Sequence, residues 1–472
     1  MAIHNPTSPI HLTNPTSFPN FHIRKFLSLF VLLLAGFGCR TTPHEATPAA
    51  SREPKVEEEL EVAKVWPGHP VGFSLLTSPP HQYVAYYDED RRMTVAHRRL
   101  GEQQWTYQVL PERVGWDSHN YIAMALDAQG HLHVSGNLHG DPLKYFYAAT
   151  PHDIRSLRRM PAMIGKEESR VTYPQFFSGP AGELVFTYRD GSSGSGNQIY
   201  NTYDPARKTW QRLLDTPLTD GEGKMNAYLR GPLAGPDGYY HLVWVWRDTP
   251  DAATNHDLSY ARSKDLIHWE KSHGTPLSLP ITIATAEIID PVPAGGGMIN
   301  GNTQIGFDSQ NRPIITYHKF DEQGNTQIYN ARREKNGWSI IPATDWTHRW
   351  EFGGNGSIEA EVGVRPVKVN EKGQLTMAYT SKGAGDGLLV LAPSTLKPLQ
   401  RLPFPQTVPA GFRTPTGSFP GLQVNLQEDT GSAPDQNARY VLRWETLGRN
   451  RDRPREGPLP EPGLLRVYKL VK

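Results

Sequence analysis

Cysteine is almost absent from this chain: Cys39 is the only one in 472 residues. A disulfide framework or a thiolate-based zinc site within one chain is thereby excluded. A surplus of charge is missing too, the formal net charge being +1. Nucleic-acid binders normally show a strong basic excess, so nucleic acid is not an expected partner, whereas a local basic cleft for an acidic ligand stays open. Long amphipathic helical patterns are lacking after residue 63. The one apolar run, "FLSLFVLLLAGFG", falls short of the roughly 20 residues an ordinary membrane-spanning helix needs.

That run follows Arg24 and Lys25 and ends at Cys39. A basic stretch, a short apolar stretch and small residues before a cysteine are the pattern of a bacterial lipoprotein signal peptide, although Gly36 stands where such signals usually carry leucine. Residues 1–39 are therefore predicted to direct export from a bacterial cell, to the outer membrane as a lipoprotein or to the periplasm or extracellular space. Cys39 is the expected lipidation site and hence the anchor to the membrane. Residues 40–62, polar and rich in Pro, Ala and Glu, are predicted to be a disordered tether.

What the chain has in quantity is turn formers and aromatics: 43 Gly, 41 Pro, 11 Trp and 20 Tyr. Short strands flank glycine-bearing turns in "HNYIAMALDAQGHLHVSGNLH", "YPQFFSGPAGELVFTYRD", "YLRGPLAGPDGYYHLVWVWRD", "NTQIGFDSQNRPIITYHKF" and "RPVKVNEKGQLTMAYTS". A third strand such as "IYNTYD", "LSYARS" or "IYNARR" often follows. "HQYVAYYDEDRRMTVAHRRL" supplies a first unit, and "ARYVLRWETL" with "LLRVYKLVK" a last one. Several strands per unit at this spacing indicate an all-β fold, a β-propeller of about seven blades forming a single domain over residues 63–472. "SKDLIHW" echoes the Asp-box of sialidase-like propellers without its glycine and reads as a blade turn.

Turn chemistry also predicts which residues face each other. A three-residue hairpin loop commonly ends in a left-handed glycine. Loops at Ala128–Gly130 and Pro180–Gly182 would set His119 opposite His139, and Tyr173 opposite Arg189, at the open ends of neighbouring hairpins. The same reasoning sets Asn302 opposite His318 and Tyr228 opposite Trp246, while His131 and His133 fall to structural roles.

Histidine moves protons near neutrality, tyrosine gives or takes one, and arginine stays charged and grips a carboxylate. Together they are suited to removing a proton α to a carboxylate. Applied to the C5 proton of a uronic acid, with Arg189 neutralising the carboxylate, that chemistry is polysaccharide β-elimination and needs no cofactor. Two facing histidines also suit a metal ion, and Asp117 and Asp141 keep open the reading of a structural metal ion.

At "DSHNYIAMALDAQGHLHVSGNLHGDPLKYF", "TYPQFF…LVFTYRDGSSGSGNQIYN" and "NHDLSYARSKDLIHW" the chain resembles the BNR-repeat-containing family of exported seven-bladed propellers that includes ulvan lyases. The resemblance implies catalytic roles for His119 on the base side, His139 as its partner, Tyr173 as acid or base and Arg189 as carboxylate neutraliser. Tyr228 matches a second tyrosine lining the substrate site, and His256 lies in a family-typical motif without an assigned role. The implied substrate is an anionic algal polysaccharide, ulvan, whose sulfates would call on Arg230 and His318, with Asn302 beside them, in a monomeric enzyme. Two other classes stay open on the residues alone. A sialidase-like or other glycoside hydrolase would need paired carboxylates, and Glu287, Asp290 and Glu361 form no such pattern. A non-catalytic glycan-binding lipoprotein would need only the aromatic surface.

Overall fold

The glycine turns fold as their sequences dictate. In the computed structural model, which describes residues 53–471, Asp127 N–H donates to the His131 carbonyl at 3.0 Å. The Asp127 side chain accepts from the amides of Gln129 and His131, and Gly130 takes φ +84°, where a Cβ is disfavoured. The same closure recurs from Gly179 to Glu183, Gly235 to Tyr239, Asp308 to Arg312 and Asn370 to Gln374. In blade 5 Asn311, at φ +61°, replaces the glycine.

These turns help build seven antiparallel four-stranded sheets, six of them meanders in chain order. Blade 1 spans 74–113, blade 2 122–160, blade 3 171–212, blade 4 226–290, blade 5 304–342 and blade 6 362–402. Blades 3 and 4 are linked through a single parallel pair, Gly196 with Asn226. The first strands of blades 1, 2 and 3 pack side by side, as do those of blades 4, 5 and 6, and that of blade 7 returns to blade 1. The result is a β-propeller.

Closure corrects one sequence expectation. Blade 7 takes three strands from 422–471, but its outermost strand is Lys55–Val65, paired with Gly463–Val471. Residues 55–62 therefore belong to the propeller, not to a tether. Their alternation of Glu with Leu60, Val62 and Val65 buries one face of the strand, and Glu58 neutralises the buried Arg98 of blade 1 at 3.0 Å. The signal segment, Cys39 and the tether up to residue 52 lie outside the described residues.

The core lies between blades. Leu138, Leu143 and Tyr145 of blade 2 pack with Phe186, Tyr188 and Trp210 of blade 3, and Ile314 and Ile328 of blade 5 with Met377 and Tyr379 of blade 6. Each such side chain contributes roughly 1.5–3 kcal/mol of burial. "SKDLIHW" is a blade turn: Asp265 accepts from the amides of Ile267 and His268, and Trp269 is buried.

Candidate active site

Near the turns the predicted pairing holds, with Ile122 opposite Gly136 and Gln175 opposite Thr187. Farther out it changes. The blade 2 ladder ends at Ile122 and Gly136, and His139–Asp141 leaves to pair with Val171 and Thr172 of blade 3. His119 and His139 are thus not ladder partners, yet their rings stack at 4.2 Å with 23° between planes. What joins them is one carboxylate. Asp117 Oδ1 bonds His119 Nδ1 at 2.6 Å and Asp117 Oδ2 bonds His139 Nδ1 at 2.5 Å. Burial alone would raise the Asp117 carboxyl, but the two histidine hydrogen bonds outweigh it and hold the group well below the carboxylate range. With both Nδ1 atoms occupied, both Nε2 atoms are free for a ligand, and each side chain is over a quarter exposed.

In blade 3 a bulge between Thr172 and Gln175 shifts the ladder by one residue, so Arg189 faces Thr172 and not Tyr173. Tyr173 occupies the bulge with φ +57°, a strained conformation for an aromatic residue and of the kind that gathers at functional sites. Its ring lies 5.9 Å from that of His119 and 6.1 Å from that of Tyr228, and the Arg189 guanidinium sits 5.0 Å from its centroid. Burial raises the Tyr173 hydroxyl well above its ordinary value, against the opposing pull of Arg189, so the group keeps its proton. Blade 4 repeats the device: a bulge between Arg230 and Leu233 sets Tyr228 opposite Val245, not Trp246.

Arg189 is 2 % exposed. It donates to Thr172 Oγ1 at 3.1 Å and Tyr228 Oη at 3.4 Å, while its Nε has no partner. The described residues contain five buried arginines. Arg98, Arg332 and Arg443 are neutralised by Glu58, by Asp308 with Glu334, and by Glu445. Arg189 and Arg247 have no carboxylate within 4.0 Å in the described residues, and both lie against the Tyr228 ring, at 5.8 and 5.4 Å. A buried cation without a counter-charge costs several kcal/mol, a cost that an anionic ligand would offset. Gly196 makes the room: a Cβ there would come within 2.8 Å of Arg189 Cδ.

The remaining expected residues are dispersed. Arg230, two residues beyond Tyr228, is exposed and donates to Gln304. Asn302 uses both ends of its amide on Val362 and Val364, splicing blade 5 to blade 6. His318 is sealed in the blade interior against Trp350, where burial lowers its pKa to about 4; it is not a surface group for sulfate. Asp117, His119 and His139 offer one oxygen and two nitrogens within 4.8 Å of one another, a donor set that suits a metal ion. Asp141 instead accepts from its own loop at the His139 amide and pairs with Lys144. His256 is held between Asp248 and Asp257.

Sequence reasoning missed Arg247 and the bridging role of Asp117. Arg247 had a signal: "TYRD" around Arg189 recurs as "VWRD" around Arg247 at the same strand end one blade on.

The sequence matches the family model described as "BNR repeat-containing family member" over residues 81–346. The chain belongs to this family. No curated protein matches it. Among solved structures, this BNR-repeat propeller is similar to the polysaccharide lyase Uly1, with a TM-score of 0.58 and 14% identity over 88% of this chain and 99% of that one. A PL25 ulvan lyase aligns with a TM-score of 0.56 at 14% identity, over 88% of this chain and 96% of its own. A PL25 ulvan lyase bound to -[GlcA(1-4)Rha3S]- gives 0.55, again at 14% identity with 88% and 96% coverage. At that identity the likeness is one of fold.

Proposed function

We propose that this chain is a polysaccharide lyase that cleaves a uronate-containing, sulfated polysaccharide, with ulvan as the favoured substrate, by β-elimination. The observation that carries the reading is the buried Arg189, without a counter-charge among the described residues, set beside Tyr173 and the stacked histidines. A uronate carboxylate drawn towards the Arg189–Tyr228 hydrogen bond has its charge offset, which makes the C5 proton acid enough to remove. A histidine Nε2 takes that proton, the electron pair becomes the C4–C5 double bond, and the C4–O4 bond breaks. Tyr173, kept protonated by burial, gives its proton to O4. The resulting imidazolium returns a proton to the Tyr173 oxygen, so each turnover ends with the site as it began. Arg189 and Asp117 remain charged throughout, which matches electrostatic preorganisation around the developing carbanion.

Export and a lipid anchor at Cys39, action as a monomer, and Arg230 as a sulfate contact are part of the proposal. Incubation with ulvan should generate the ultraviolet absorbance of an unsaturated uronate. Saturated products with water incorporated would point to hydrolysis, and binding without product to a glycan-binding role. Because Asp117, His119 and His139 also form a metal donor set, the assay is run with and without chelator after metal analysis; elimination that survives chelation supports the proton-transfer reading.

A further inference from the structure

The Asp117 cluster does not end at His119. Asp452, on the loop between the second and third described strands of blade 7, places Oδ2 3.5 Å from His119 Nδ1. Its Oδ1 is saturated: it accepts from the Ser118 amide at 3.0 Å, from Ser118 Oγ at 3.0 Å and from His69 Nε2 at 3.1 Å. Oδ2 has no hydrogen bond and faces His119. The groups form a row in which imidazoles and carboxylates alternate: His139, Asp117, His119, Asp452, His69. Only the His119 and His139 rings are open to a ligand, for the His69 side chain is fully buried and that of Asp452 is 9% exposed.

We infer that Asp452, backed by His69, is a positioning residue of the candidate site: it fixes the loop and ring of His119 and sets a second carboxylate beside it. The inference rests on the lyase reading for its catalytic consequence. Asp117 must serve two rings at once. When one ring takes up the substrate proton, a single bridging carboxylate is shared between an imidazolium and its neighbour. Asp452 supplies the missing counter-charge on the His119 side, already oriented by three donors on its other oxygen. An ionised carboxylate this deeply buried is kept only where its surroundings hold it.

The loop is built to hold that position. Asp452 takes φ +57° and Arg451 φ +63°. Arg451 donates to the Gly353 carbonyl, Arg449 to that of Ile358 and Arg455 to that of Gly68. Blade 7, the approach to blade 6 and the segment entering blade 1 are thus clamped to the loop that delivers Ser118 and His119. The family match stops at residue 346, so this contribution comes from a part of the chain beyond it.

The test is Asp452→Asn, isosteric and uncharged, with His69→Gln as a second variant acting from the far end of the row. Full-length protein labelled with 15N-histidine reports the His119 ring nitrogens, assigned by their loss in His119→Gln. The expected result is a move of the His119 ring resonances in both variants at unchanged melting temperature. On ulvan, kcat should fall by about 10- to 100-fold with KM within about twofold, since the residue touches no substrate. Unmoved His119 resonances, or moved resonances with unchanged kcat, would overturn the inference. If the wild-type protein forms no unsaturated product, the lyase reading fails, and the resonance shift alone still decides whether Asp452 sets His119.

Discussion

At the scale of single residues, the site is defined by what is left unneutralised. Arg189 is buried among neutral partners, whereas Arg98, Arg332 and Arg443 each have a carboxylate. Arg189→Ala should abolish turnover. Arg189→Lys should also lose most of it, because an ammonium lacks the planar fork. Either variant retaining wild-type kcat/KM on ulvan would break the assignment. Tyr173→Phe removes only a hydroxyl, and His119→Ala only the ring, so each should lower kcat by about 10²- to 10⁴-fold with the circular-dichroism spectrum unchanged. His318 gives the contrasting case. Its folded pKa of about 4 lies below the ordinary histidine value, so between those values the unfolded chain binds the extra proton. Its contribution is therefore intact at neutral pH and is lost as pH falls towards 4, by on the order of 3 kcal/mol. Denaturant unfolding of His318→Phe should show a shallower acid loss of stability than wild type, with lyase activity at neutral pH retained.

At the scale of strands and turns, the hairpins explain both what the sequence revealed and what it concealed. Turn glycines such as Gly130 and Gly182 set the pairing near each loop, and those pairs are observed. They carry no information about the far end, where one inserted residue at Tyr173 and another beyond Arg230 shift the ladder. His119, His139, Tyr173 and Arg189 were therefore brought to one place by sequence reasoning, through pairings the fold does not use. Asp117 was visible beside His119, but its hydrogen bonds to two rings at once are a tertiary fact. Asp452 lies more than three hundred residues away, with no local pattern to betray it, and His318 looked available only because alternation does not reveal how a blade is covered. Gly196 tests the element directly. A methyl group there meets Arg189 Cδ and Asn226 Oδ1 inside 3 Å, so Gly196→Ala should push the guanidinium aside and lower kcat/KM by roughly 10- to 100-fold with little change in melting temperature. Undiminished activity in that variant would show that the placement of Arg189 does not matter.

At the scale of the molecule, the ring is closed by its own beginning. Lys55–Val65 completes blade 7, and Glu58 reaches across to Arg98 of blade 1. A chain starting at Trp66 should therefore melt well below the full-length protein, since it exposes a strand edge and leaves Arg98 without its counter-charge; an unchanged melting temperature would mean that the strand is dispensable. Closure also bears on function, because His69 and Asp452 at the seam touch the loop of His119. The propeller thus gathers groups from its first, second, third, fourth and seventh blades or their approaches at one end. The central claim, that these groups eliminate across the C4–O4 bond of a uronate, is tested most directly by following ultraviolet absorbance while the wild-type protein acts on ulvan. The account predicts a steady rise from unsaturated uronate ends, absent in Arg189→Ala. Chain cleavage with no such rise would contradict it.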